Sequence, residues 1–290
     1  MKRIGWHRLW VIVLSLCSAC SRSSDNHVAP ARLPALAAPS TMAMAVSGFG
    51  EAVVSVPVGS TSPLPVVVAV IGIGDTAESQ CETWRDLVQR RAFVLCPRGV
   101  PHIVQDEPYV SADAGETARS FETTPAEALS AQHVSGYFPP DLSTLDREVA
   151  AGMKALSAKY GAHVASSGHV YAGFSRGAFL GASLVAKHSD VFARAVLIEG
   201  GQTPWTAETA ANYAKGGGKR IVFACGQTSC VDDAKEASAF LAKAGVETRV
   251  LLGAGEGHGY KQQVKEEVRR TFDWLVSGDP AWASVALGAP

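Results

Sequence analysis

Apolar and polar positions along the chain follow two alternating periods from about residue 51 onward. Pro65-Val-Val-Val-Ala-Val-Ile71 is a continuous apolar run that stops at Gly72-Ile-Gly-Asp75. Such a run reads as a strand buried on both faces, as in a parallel sheet. Arg91–Pro97, Gly168–Gly173, Ala193–Ile198, Arg220–Cys225 and Thr248–Leu252 are further short apolar runs and read the same way. Ala52–Val58 alternates weakly and contains Pro57, which predicts an edge strand. Between these runs lie segments of helical spacing: Glu78–Arg90, Asp141–Tyr160, Arg176–His188, Ala207–Lys215, Asp232–Ala244 and His258–Val276. Asp141 is a candidate cap for the second, followed by Leu142, Leu145, Val149, Met153 and Leu156 on one side. Gly245 closes the Asp232 helix.

Strands separated by helices require right-handed crossovers. The expected fold class is therefore α/β: a mostly parallel central sheet with helices on both faces, in a single domain over 51–290. Residues 98–140 break the alternation with no clean period and are too long for an ordinary connection, so they are expected to form a functional loop or lid.

The N-terminus follows a different pattern. Lys2, Arg3 and Arg8 precede the short apolar run Leu9–Leu16, then Ser18, Ala19 and Cys20. A permanent membrane-spanning helix needs about 20 apolar residues, so this run reads as a secretory signal. Ser18-Ala19-Cys20 resembles a bacterial lipobox, with lipidation at Cys20, although Cys17 stands where that pattern prefers Leu. Simple cleavage nearby is the alternative. Residues 1–19 are then the signal, and the Ala-, Pro- and Ser-rich stretch within 20–50 reads as a flexible tether. The expected location is periplasmic or anchored at the outer membrane, with contact to the membrane through the N-terminal lipid only.

The whole chain has 26 basic and 27 acidic residues, a net charge of −1. Removal of 1–19 takes away three basic residues and no acidic ones, leaving −4. Nothing in that balance calls for a nucleic-acid partner.

The candidate chemistry sits at strand ends. Gly173-Phe-Ser175-Arg-Gly177 follows one strand and opens a helix. A serine on a sharp strand-to-helix turn presents its hydroxyl at the carboxyl edge of the sheet, next to the positive end of the helix. A hydroxyl needs a base to act as a nucleophile. His258, in Gly253-Ala-Gly-Glu-Gly-His-Gly-Tyr260 after the last strand, is the candidate, flanked by glycines. Backbone N–H groups of Arg176 and Ile73 are the candidate oxyanion donors.

With these residues the chain resembles the α/β-hydrolases, in particular the dienelactone-hydrolase and polyhydroxyalkanoate-depolymerase-like esterases, over about residues 51–276. Relatives often carry His-Gly where this chain has Ile71-Gly72. The resemblance implies an acid near Ser229, which is not acidic. Asp232, with Asp233 beside it in the first turn of the expected helix, is one candidate acid, though Asp232 could equally cap that helix. Glu199, at a strand end before Gly200-Gly201, is the other and is preferred.

Six cysteines divide by location. Cys17 falls in the signal and Cys20 at its end. The other four suit two disulfides in an oxidising compartment, Cys81–Cys96 and Cys225–Cys230. Zinc is disfavoured, because Cys-x-x-Cys and His-x-x-x-His spacings are missing. The combined expectation is an exported carboxylic-ester hydrolase acting on a small-molecule or acyl-ester substrate through an acyl-enzyme on Ser175, with no metal or organic cofactor. Trp205 is a candidate lining residue. The rival readings are a serine peptidase and a non-catalytic lipoprotein on the same fold.

Overall fold

The computed structural model describes residues 32–105 and 132–283. The signal segment 1–19, Cys20, residues 106–131 of the expected lid and residues 284–290 lie outside the described residues. In chain order the strands are β1 (Thr41–Met44), β2 (Ala52–Ser55), β3 (Val66–Val70), β4 (Phe93–Cys96), β5 (Val100–Gln105), β6 (Gln132–Phe138), β7 (Val170–Phe174), β8 (Arg194–Ile198), β9 (Arg220–Cys225) and β10 (Glu247–Leu252). The helices are α1 (Ala77–Val88), α2 (Leu142–Tyr160), α3 (Arg176–Lys187), α4 (Ala207–Lys215), α5 (Thr228–Lys243), α6 (Gln263–Val276) and the short α7 (Pro280–Ala283).

Eight strands form one sheet in the order β1-β2-β4-β3-β7-β8-β9-β10, and β5 pairs with β6 in a separate hairpin. From β4 to β10 every neighbour is parallel, and β2 alone runs against that direction. The sheet is covered on both sides. Val54, Val66, Val68, Tyr171, Leu197 and Phe223 face one apolar layer, and Val67, Ala69, Ala172, Val196 and Val222 face the other. Alternate residues of each central strand thus enter opposite cores, which is why these strands are apolar throughout.

Two expectations need correction. The tether does not extend to residue 50. Leu33 and Leu36 donate to Thr61 and Ser60 carbonyls, and Thr41–Met44 forms the antiparallel edge strand beside Ala52–Ser55. Met44 and Val46 are buried while Ala43 and Ala45 are exposed. The alternation is genuine, but it is carried by few side chains within an Ala/Pro-rich stretch. The Ala52 strand is consequently internal, with all its residues buried. The second correction concerns helix starts: the helix expected from Asp232 begins at Thr228, and the one expected from His258 begins at Gln263, which leaves His258 on the preceding loop.

Register brings the site together. Gly173 on β7 pairs with Val70 on one side and Leu197 on the other. The turns after β3, β7 and β8 therefore leave the same edge of the sheet side by side. Part of the expected lid is the β5–β6 hairpin, which docks on one of those turns: Gly74 donates to the Tyr137 carbonyl at 3.1 Å and Tyr137 to that of Asp75 at 2.9 Å.

Candidate active site

Ser175 joins β7 to α3 with φ 50° and ψ −113°. A left-handed conformation at a residue with a Cβ costs on the order of 1–3 kcal/mol and persists only where the surroundings impose it. The surroundings here are the Ser175 N–H bound to the Ile198 carbonyl at 2.8 Å, and two glycines. A Cβ on Gly173 would lie 2.6 Å from the Gly177 backbone, and one on Gly177 would lie 2.6 Å from the Ile71 carbonyl oxygen. Only glycine at both positions lets α3 start this close to β3 and β7.

Ser175 Oγ lies 2.9 Å from His258 Nε2, and His258 Nδ1 lies 3.0 Å from Glu199 Oε2. A carboxylate oxygen accepts, so the contact with Glu199 assigns the proton to Nδ1 and leaves Nε2 as the acceptor for the Ser175 hydroxyl. The imidazole is half exposed, whereas the Glu199 side chain is 2% exposed. Glu199 also has positive φ, 51°, at the end of β8. Its carboxylate is cradled by the turn after β9: Oε1 accepts from Gly226 N–H at 2.5 Å and Gln227 N–H at 3.3 Å, and Oε2 from Gln227 Nε2 at 2.9 Å.

The turn after β3 lies against the serine. A Cβ on Gly72 would stand 3.0 Å from Ser175 Cβ. Among the described residues, the N–H groups of Ile73 and Arg176 donate to no protein acceptor. Arg176 follows Ser175 directly, and Ile73 follows Gly72 on the turn that lies against the serine.

No protein-family model and no curated protein matches the chain. Solved structures do. TT1662 from Thermus thermophilus superposes with a TM-score of 0.54 at 13% identity, covering 82% of this chain and 98% of that one. A carboxylesterase from Bacillus cereus matches at 0.50 and 16%, covering 79% and 96%. Poly(aspartic acid) hydrolase-1 from Sphingomonas sp. KT-1 matches at 0.50 and 12%, covering 81% and 98%. The chain has the α/β-hydrolase fold.

Within that α/β-hydrolase frame the structure separates the two candidate acids. Asp232 lies inside α5, exposed, with its carboxylate 3.0 Å from Lys235 Nζ. It neither caps the helix nor approaches His258. Asp233 is likewise within α5 and exposed. The helix can begin early because its first turn is held from outside: Cys230 is bridged to Cys225, and Gln227, the residue before α5, donates to Glu199. Trp205 is buried against Tyr213, ring centroids 5.4 Å apart, and belongs to the core rather than to a cleft. Cys81 is bridged to Cys96.

Two residues around the site, Tyr260 and Glu256, carry no motif in the sequence. Tyr260 stacks on Phe174 at 4.4 Å and donates its hydroxyl to Asp75 Oδ2 at 2.6 Å. Burial first, and the Asp75 charge second, push the Tyr260 phenol well above its ordinary range. Glu256 accepts from Gln262 and Val264 N–H at 2.8 and 2.6 Å and so caps α6. Their partners are distant in sequence or on an irregular turn, so spacing carries no signal for them. Among the described residues, the one grouping with metal-ligand proximity is Glu199 with Cys225 and Cys230, whose ligand atoms lie within 4.8 Å of one another. The disulfide uses both thiols, which leaves the carboxylate as the only ligand there.

Proposed function

We propose that the protein is a serine hydrolase that cleaves carboxylic esters through an acyl-enzyme on Ser175. The observation that carries this reading is the continuous Ser175–His258–Glu199 relay on a strained strand-to-helix turn. Ser175 Oγ attacks the ester carbonyl while His258 Nε2 takes its proton. Glu199 holds the ring by Nδ1 and stabilises the imidazolium. Negative charge on the former carbonyl oxygen is received by the N–H groups of Arg176 and Ile73, next to the α3 N-terminus. The imidazolium then protonates the leaving alcohol. Water, deprotonated by His258, releases the acid and restores the hydroxyl. The names of two of the matching structures, a carboxylesterase and a poly(aspartic acid) hydrolase, are compatible with acyl transfer of this type. The signal-like N-terminus adds the proposal of export, with a lipid on Cys20.

A fluorophosphonate probe should label the wild type and not Ser175→Ala, and short p-nitrophenyl esters should turn over faster than peptide amides. Equal labelling of both proteins would sink the serine-hydrolase reading, and faster amide cleavage would turn it to a peptidase.

A further inference from the structure

Strand β9 and helix α5 are joined by a short turn that the Cys225–Cys230 bridge closes into a ring, and residues 226 and 227 lie inside it. Among the described residues, those two supply every donor to Glu199 other than His258 itself. We propose that Gln227 is a positioning residue for the acid, and that the Cys225–Cys230 disulfide holds the turn that presents it. The inference rests on the reading of Ser175, His258 and Glu199 given above.

The geometry is specific. Each carboxylate oxygen accepts two hydrogen bonds, and Oε2 shares its two between Gln227 Nε2 and His258 Nδ1. The two backbone donors grip Oε1 alone. The side-chain amide therefore sets how the carboxylate is rotated toward the imidazole. At 2% exposure Glu199 has no bulk water to replace a lost donor. The turn has little room to adjust. A Cβ on Gly226 would meet the Gly257 carbonyl oxygen at 2.2 Å, so this turn packs directly on the loop carrying His258. The bridge is tied in as well: Gln202 Nε2 lies 3.2 Å from Cys230 Sγ, and the Cys225 carbonyl accepts from Gly253 N–H at 2.7 Å. The acid thus stands on one strand and its cradle on the next, with a covalent clasp around the cradle. Where the resemblance puts the acid in this turn, the chain instead uses the turn as a donor set.

The test uses the full oxidised protein and p-nitrophenyl acetate. Gln227→Met keeps the side-chain length and removes the amide. It should lower kcat about tenfold with KM within about twofold, because the lost contact is a hydrogen bond to a charged group that matters most when the imidazolium forms. Cys225→Ser/Cys230→Ser should lower kcat in the same manner, and adding Gln227→Met to it should cost little more, since both act through one carboxylate. Gln227→Glu, which sets a second carboxylate beside Glu199, should lower kcat further than Gln227→Met. A kcat for Gln227→Met or Gln227→Glu within about twofold of wild type overturns the role of Gln227. Fully multiplicative losses overturn the role of the bridge. Ser175→Ala measured alongside separates the two levels: if it retains turnover, the hydrolase reading has failed. If it is inactive and Gln227→Met is unaffected, only the positioning role has failed.

Discussion

Glu199 and Asp232 are both carboxylates near the carboxyl edge of the same sheet, and their surroundings give them opposite roles. Glu199 is buried, held at positive φ and supplied with four donors. Asp232 is exposed on a helix with only Lys235 as a partner. An exposed pair of that kind is worth about 0–1 kcal/mol. In Glu199→Gln the amide nitrogen would face N–H donors, and the imidazole would lose the acceptor that selects its tautomer. The expected result is a kcat lower by roughly three orders of magnitude. Asp232→Asn should stay within about twofold, because nothing in the relay touches it. Ester turnover of the two variants checks both outcomes.

At the level of elements, the site depends on loops from separate crossovers being held against one another. Tyr260, two residues after His258, reaches the turn after β3 through Asp75, and its ring rests on Phe174, the residue before Ser175. Phe174 also lies 5.3 Å from the His258 ring. One tyrosine therefore links the histidine loop, the turn after β3 and the serine turn. Tyr260→Phe should keep the stacking and lose the hydrogen bond to a mostly buried carboxylate oxygen. That change should cost about 1–3 kcal/mol, seen as a lower melting midpoint. It should also slow labelling by the fluorophosphonate probe, because His258 and the Ile73 amide would no longer share a brace. Unchanged stability and labelling would show that Tyr260 is only a packing residue.

For the molecule as a whole, the opposite edge of the sheet carries a pH response. His169, the residue before β7, lies near Asp279 and accepts the Val66 N–H at Nδ1, 3.1 Å away. Burial lowers its pKa from 6.5 to about 4, against a smaller opposing effect of Asp279. The folded protein thus holds a neutral imidazole that the unfolded chain would protonate. This contribution is fully present above pH 6.5 and is lost as the pH falls from there toward about 4. The shift corresponds to about 3 kcal/mol across that window. Glu148, whose carboxyl is raised by burial, acts in the opposite sense. The comparison is therefore between wild type and His169→Asn, which keeps an acceptor near Nδ1 and leaves Glu148 in place. Denaturant midpoints measured from neutral pH to pH 4 should fall more steeply in wild type. Parallel curves would contradict the assignment.

The sequence by itself determined the alternation of strands and helices, the serine turn, the histidine loop and the two cysteine pairs. Each of these is written locally: in period, in glycines beside a reactive residue, or in cysteine position. It missed the edge strand at Thr41–Met44, the start of α5 at Thr228 and the brace through Tyr260 and Asp75. Those depend on what a residue meets across the fold. A short strand is stable only beside a partner. A helix without its own capping side chain can start where a carboxylate from another strand organises the preceding turn. The choice between Glu199 and Asp232 was likewise decided only by tertiary structure, because register between β7, β8 and β9 sets which carboxylate reaches His258. Hydrophobic pattern selects the sheet, but the donors that gather around one buried charge are assembled only when the strands are side by side.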